Sequence, residues 1–156
     1  MPLATPAKHA DGPSRRLLLA LVALGAAGLL AELALGEHVD SPSQWIPLAL
    51  LVAVLGAAAG VHVARGRRAL RIFQGVMALC VVAGAVGVWL HYRGNVEWEL
   101  ERDASLGGVR LFWEAIRGAT PALAPGALSQ LGLLGLAYAH RHPALAVPAP
   151  SSHERS

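Results

Sequence analysis

Four long apolar stretches make up most of this chain of 156 residues. A helix needs about 20 apolar residues to cross the hydrocarbon core of a bilayer, and each stretch approaches that length. Only 15% of the residues are charged, against about 25% in a typical soluble domain. The stretches are 17–35, 45–64, 72–90 and 122–138. The sequence therefore predicts an all-α membrane protein with four transmembrane helices in a small bundle over 17–139.

The basic residues are distributed unevenly between the segments that flank these stretches. With a cytoplasmic N-terminus, the inner segments hold nine Lys and Arg residues and the outer segments hold four. Because cytoplasmic loops carry the excess of basic residues, both termini are predicted to be cytoplasmic. The same rule accounts for the net charge of +3 without a nucleic-acid partner. The abundance of Ala, Gly, Leu and Arg is typical of a GC-rich bacterial genome, which places the chain in the inner membrane.

The ends of the chain differ in character from the apolar stretches. Residues 1–16 and 140–156 are polar, contain several prolines and show no apolar periodicity, so we expect disordered cytoplasmic tails. The pair Arg15-Arg16 also resembles the start of a twin-arginine export signal. The apolar run that follows is longer than the 7–15 residues of a signal core, so we expect this span to be retained.

The long outer loop, 92–121, contains a segment of helical periodicity at about 105–117. Its apolar positions are Leu106, Val109, Phe112, Trp113 and Ile116. The pattern predicts a short amphipathic helix lying in the membrane interface, with Phe112, Trp113 and Ile116 on its apolar face. Just before it, 96–101 alternates apolar and acidic residues, which predicts a short extended segment with one acidic face.

Small residues are the positions at which membrane helices approach closely. Gly56 and Gly60 form a GxxxG pattern in the second stretch, and Gly84 and Gly87 occur in the third. We expect these glycines to lie at helix contacts, either within one chain or between two copies.

Polar residues near the outer end are the candidate functional residues. Glu32 lies inside the first stretch, where an ionisable group is a functional hypothesis and is expected to point into the bundle. By topology it shares the outer end with His38, His91, Asn95, Glu97 and Glu99. Imidazole and carboxylate groups suit a divalent metal, and the candidate ligands are His38, His91, Glu32 and Glu97. A solvated acidic loop is the alternative interpretation, and no cofactor is the leading expectation.

Histidines at the inner end raise a further alternative. His62, His140 and His142 end the second and fourth stretches, where paired imidazoles would be needed to hold a haem. Cys80 is the single cysteine, which excludes a disulfide framework within one chain.

Four short spans with one acidic residue in the first resemble the small multidrug-resistance exporters, a resemblance that implies a proton-coupled dimer. Glu32 departs from that pattern because it lies near the outer end of its span, and a long outer loop intervenes, so no residue role is carried over.

Three classes of function remain. The leading hypothesis is a non-catalytic accessory, assembly or interaction component with the bilayer and either a membrane-protein partner or a second copy as partners. The alternatives are a metal- or haem-binding membrane protein and a proton-coupled transporter using Glu32. No catalytic motif is present, so we do not expect an enzyme.

Overall fold

The computed structural model of this chain describes residues 12–35, 45–64, 66–118 and 121–145. Over this part the chain is all-helical. The helices are α1 (Pro13–Leu35), α2 (Trp45–Ala64), α3 (Arg67–Arg102), α4 (Gly108–Ile116) and α5 (Gly126–Ala139), followed by one 3₁₀ turn (Pro143–Leu145). The helix α1 and the 3₁₀ turn thus include residues of the predicted disordered tails, namely 13–16 and 143–145. The rest of the tails, 1–11 and 146–156, and the connection that carries His38 lie outside the described residues.

Three helices are long and apolar enough to cross a membrane, namely α1, α2 and α3. The helix α5 is equally apolar but has only 14 residues, a length of about 21 Å at 1.5 Å per residue. A turn over 121–125 occupies the beginning of the predicted fourth stretch. The structure therefore shows a helical protein with three candidate membrane spans and one shorter apolar helix.

Neighbouring long helices run in opposite directions. Arg16 of α1 and His62 of α2 line one groove, which puts the beginning of α1 beside the end of α2. Only 65–66 separates α2 from α3. The end of α5 returns to the beginning of α1, where Arg15 contacts Tyr138. The four helices thus alternate in direction, and α1 and α3 begin at the same end of the bundle.

The core is densest between α3 and α5. Phe73 and Met77 of α3 are fully buried, as is Tyr138 of α5, whose ring meets that of Phe73 edge to face with centroids 5.5 Å apart. Gly84 is buried against the first turn of α5, where a Cβ would come within 2.8 Å of the Pro125 carbonyl oxygen. Ser129 fixes this contact, because its hydroxyl donates to the carbonyl oxygen of Val81 at 2.8 Å.

The predicted extended segment at 96–101 is wrong. The helix α3 continues through it to Arg102, about 18 Å beyond Leu90. Burial follows a helical period here, since Asn95 and Glu99 are buried while Trp98 and Leu100 are exposed. The packing of α4 against one side of α3 decides the conformation, and the local alternation does not.

Candidate functional site

The two ends of the bundle differ in charge. Among the described residues, the end at which α1 and α3 begin carries six arginines and no acidic residue, and we call it the basic end. These arginines are Arg15, Arg16, Arg67, Arg68, Arg71 and Arg141. At the opposite end, three of the four described arginines lie beside a carboxylate three or four residues away. The unbalanced positive charge therefore lies at one end.

The opposite end collects the aromatic residues, and we call it the aromatic end. All four tryptophans lie there and are at least half exposed. Its members are Trp45, Trp89, Tyr92, Trp98, Phe112 and Trp113. The rings of Trp89, Tyr92, Phe112 and Trp113 form a continuous series from α3 to α4, with successive centroids 6.3, 5.9 and 5.5 Å apart. Amphipathic aromatic rings of this kind are typical of the boundary between hydrocarbon and headgroups.

Asn95 holds α4 against the part of α3 that continues beyond its apolar stretch, 91–102, which we call the α3 extension. Its side chain is 2% exposed, and Nδ2 donates to the carbonyl oxygen of Ala115 at 2.8 Å. Gly118 lies so close that a Cβ there would meet Asn95 Cγ at 2.7 Å. Neither Ala115 nor Gly118 is among the predicted site residues. The sequence identifies Asn95 only as a polar candidate for a functional site. The structure shows that its side chain joins α4 to α3.

The carboxylates of the α3 extension point in different directions. Glu99 is 7% exposed and accepts two hydrogen bonds from Arg102 Nη1, at 2.9 and 3.2 Å. Glu97 is exposed and pairs with Arg93 at 3.0 Å. Because the segment is helical, Glu97 and Glu99 do not share a face. The acidic face expected of an extended strand does not form.

The turn between α3 and α4 is closed by an acidic side chain. Asp103 Oδ1 accepts from the Ser105 hydroxyl at 2.6 Å and from the Ser105 backbone N–H at 2.9 Å. These hydrogen bonds, the hydroxyl first, hold the pKa of Asp103 below its usual range. They shape the turn that leads towards α4, whereas the Asn95 contact joins the end of α4 to α3.

One side of α4 is apolar and is not covered by any other described residue range. Val109 is 73% exposed, Phe112 44% and Trp113 51%, while Ala115 on the other side of the helix is fully buried. Ile116 is partly buried and lines an apolar hollow of about 400 Å³ together with Trp89 and Tyr92. The helix α4 thus exposes an aromatic surface on one side, while the Asn95 hydrogen bond holds it against α3.

The predicted metal ligands are not brought together in the part of the chain that is described. No group of three His, Cys, Asp or Glu residues there could hold a metal ion. Glu32 is exposed and does not turn into the bundle as expected. His91 is half-buried, and its Nδ1 has no hydrogen-bond partner in the described ranges. His38 lies outside them, so a metal site that uses it stays a prediction.

The predicted helix-packing glycines divide into two groups. Gly84 and Gly87 lie against Ser129 and Pro125 of the α5 region. A Cβ at Gly56 or Gly60 would meet no atom within 4 Å, so the GxxxG pattern makes no helix contact among the described residues of one chain. The closest approach to α3 instead comes from Gly132 and Gly135 of α5.

The histidines proposed for haem lie at the rim of the basic end. His62 and His140 are exposed. His142 is buried at 8% exposure beside the ring of Tyr138, and its Nδ1 accepts from the backbone N–H of Ala144 at 3.2 Å. The His142 imidazole thus makes its contacts within the turn that follows α5 and with the ring of Tyr138. These contacts favour a structural role for His142 over haem ligation.

No protein-family model, curated protein or solved structure matches this chain. A function for this chain is therefore inferred from the geometry of the aromatic end.

Proposed function

We propose that this chain is a non-catalytic interaction subunit of a bacterial inner membrane, which docks to a membrane-protein partner through the exposed surface of α4. One observation carries the proposal. The buried polar groups of the aromatic end, Asn95 and Glu99, are engaged in contacts within the α3 extension and with α4, while the surface that faces outward is apolar and aromatic.

The topology that accompanies this proposal has both termini in the cytoplasm and α5 as a fourth crossing. The excess of arginines at the basic end supports it, because basic residues accumulate on the cytoplasmic side. The contact of Arg15 with Tyr138 supports it as well, since it keeps the end of α5 beside the beginning of α1. The aromatic end then faces outward, with α4 at the outer interface.

The physical case for docking rests on preorganisation. A loose interfacial helix loses conformational entropy when it binds a partner, whereas α4 is already held against α3 by the Asn95 hydrogen bond. Aromatic side chains dominate the energetic centres of protein interfaces because they bury large areas with few rotatable bonds. Phe112 and Trp113, whose rings contact each other, form such a centre. The partner that fits is an apolar helix of another membrane protein at the level of the outer leaflet.

Affinity purification of the full chain in mild detergent tests the proposal. The wild type should retain a defined partner at fixed stoichiometry, and the double variant Phe112→Ala/Trp113→Ala should lose most of it. Leu79→Ala/Val82→Ala is the matched control, because these residues of α3 are at least as exposed but lie at mid-span. Recovery of a monomer alone, or equal losses in both variants, would refute docking through α4.

A further inference from the structure

A second surface feature lies at the basic end and is unrelated to α4. A groove of about 510 Å³ opens between α1 and α2. Together with Leu19 and Leu55, four alanines line it, Ala20 and Ala23 from α1 and Ala58 and Ala59 from α2. Side chains this small leave a channel between the two helices, and Ala20 and Ala59 are exposed along it.

The mouth of this groove is basic. Arg16 in the first turns of α1 and His62 in the last turn of α2 line it. Arg16 takes part in none of the ion pairs among the described residues. Its neighbour Arg15 is directed instead at the end of α5. The guanidinium of Arg16 is therefore placed to meet a negative charge at the mouth.

The length of the groove indicates what kind of molecule it accepts. Arg16 and Ala23 are seven residues apart on α1, a rise of about 10 Å. In a bilayer the groove runs from the level of the headgroups into the hydrocarbon, basic at the mouth and apolar below. A ligand that matches this profile has an anionic head and an apolar chain.

We propose that the α1–α2 groove binds an anionic phospholipid of the surrounding bilayer. The phosphate lies at Arg16 and His62, and the upper part of one acyl chain lies along the alanines. Charge complementarity selects this occupant, because the basic end carries no acidic residue in the described ranges. Basic pockets between transmembrane helices are suited to anionic headgroups in the same way.

Lipid retention by the purified full chain tests the selectivity. Delipidated protein is mixed with phosphatidylglycerol or phosphatidylcholine of identical acyl chains, and bound lipid is counted by native mass spectrometry. We expect phosphatidylglycerol to be retained about five-fold more strongly, the ratio expected for one arginine beside an anionic lipid. Equal retention of the two lipids would overturn the proposal, and this comparison needs no variant.

Matched variants locate the site. Arg16→Gln should weaken phosphatidylglycerol binding about five-fold, whereas Arg68→Gln should change it less than two-fold, because Arg68 belongs to the same end but does not line the groove. Ala59→Leu should displace the acyl chain, and Ala53→Leu, exposed on α2 outside the groove, should not. Equal losses in the two arginine variants, or undiminished binding in Ala59→Leu, would show diffuse attraction instead of a site.

Discussion

The side chain of Asn95, one turn and a half beyond the apolar part of α3, donates a hydrogen bond to the carbonyl oxygen of Ala115 at the end of α4, 2.8 Å away. This one hydrogen bond joins the helices α3 and α4. The helix α3 is a candidate membrane span that continues beyond its apolar part, and α4 carries the exposed rings of Phe112 and Trp113. Asn95 thereby sets which side of α4 faces outward.

Replacing Asn95 by Ala should therefore loosen α4 without disturbing the spans. The variant removes the short hydrogen bond to the buried Ala115 carbonyl oxygen, which keeps only the longer contact from the Gly118 N–H at 3.4 Å, and this costs about 0.5–1.5 kcal/mol. Hydrogen exchange of 108–116 in nanodiscs should accelerate accordingly, while exchange in α2 stays unchanged. Arg93→Ala is the control, because it removes an exposed ion pair worth about 0.5 kcal/mol or less. Unchanged exchange in Asn95→Ala would show that α4 is held by other contacts.

At the basic end, Arg15 closes the bundle by capping α5. Its guanidinium donates to the carbonyl oxygens of Tyr138 at 2.5 Å, His140 at 3.1 Å and Arg141 at 3.2 Å, groups that have no partner within a helix. Arg15→Gln should lower the free energy of unfolding by about 1–3 kcal/mol and speed hydrogen exchange at the end of α5. Arg67→Gln provides the comparison at the same end of the bundle. If both variants unfold alike, Arg15 has no special role.

Close packing of α3 on α5 leads to a prediction about glycines. Gly84→Leu forces a side chain into the backbone of α5 and should destabilise the bundle by about 1–3 kcal/mol. Gly56→Leu meets open space within the chain and should change stability by no more than about 0.5 kcal/mol. Unfolding in mixed micelles followed by circular dichroism measures both. Similar losses would mean that Gly56 also lies at a tight contact, between copies of the chain.

The proposed orientation can be tested with single cysteines, because the native Cys80 is fully buried. Ala104→Cys, in the exposed turn before α4, should react with a membrane-impermeant maleimide on intact cells. Ser14→Cys, exposed at the beginning of α1, should react only after the membrane is permeabilised. The reverse pattern would invert the topology, and labelling of both from outside would contradict the four-crossing arrangement.

The sequence predicts some elements closely because one force dominates them. Uninterrupted apolar character defines α2, whose bounds Trp45–Ala64 coincide with the predicted stretch. It also defines most of α1. The range of α4, Gly108–Ile116, lies within the predicted 105–117, because its apolar residues recur at helical spacing. Where lipid or a single packed face determines the structure, local pattern is sufficient.

Tertiary contacts account for what the sequence does not show. The alternation of Val96, Trp98 and Leu100 indicates a strand, yet the segment is helical, with Asn95 and Glu99 buried one turn apart and Asn95 bonded to α4. No local signal distinguishes Arg15, which caps a helix more than 120 residues away, from Arg16, which faces a groove. Glu32 looks like an interior carboxylate by depth alone, but its exposure depends on the rotation of α1.

Site-specific photo-crosslinking from position 113 tests the central claim most directly. A photoreactive residue in place of Trp113 should give one discrete protein adduct in native membranes, weakened when Asn95 is also replaced by Ala. The same residue in place of Leu79, which is 58% exposed at mid-span, should not give that adduct. Lipid adducts alone from position 113, or the same protein adduct from both positions, would contradict a docking surface on α4.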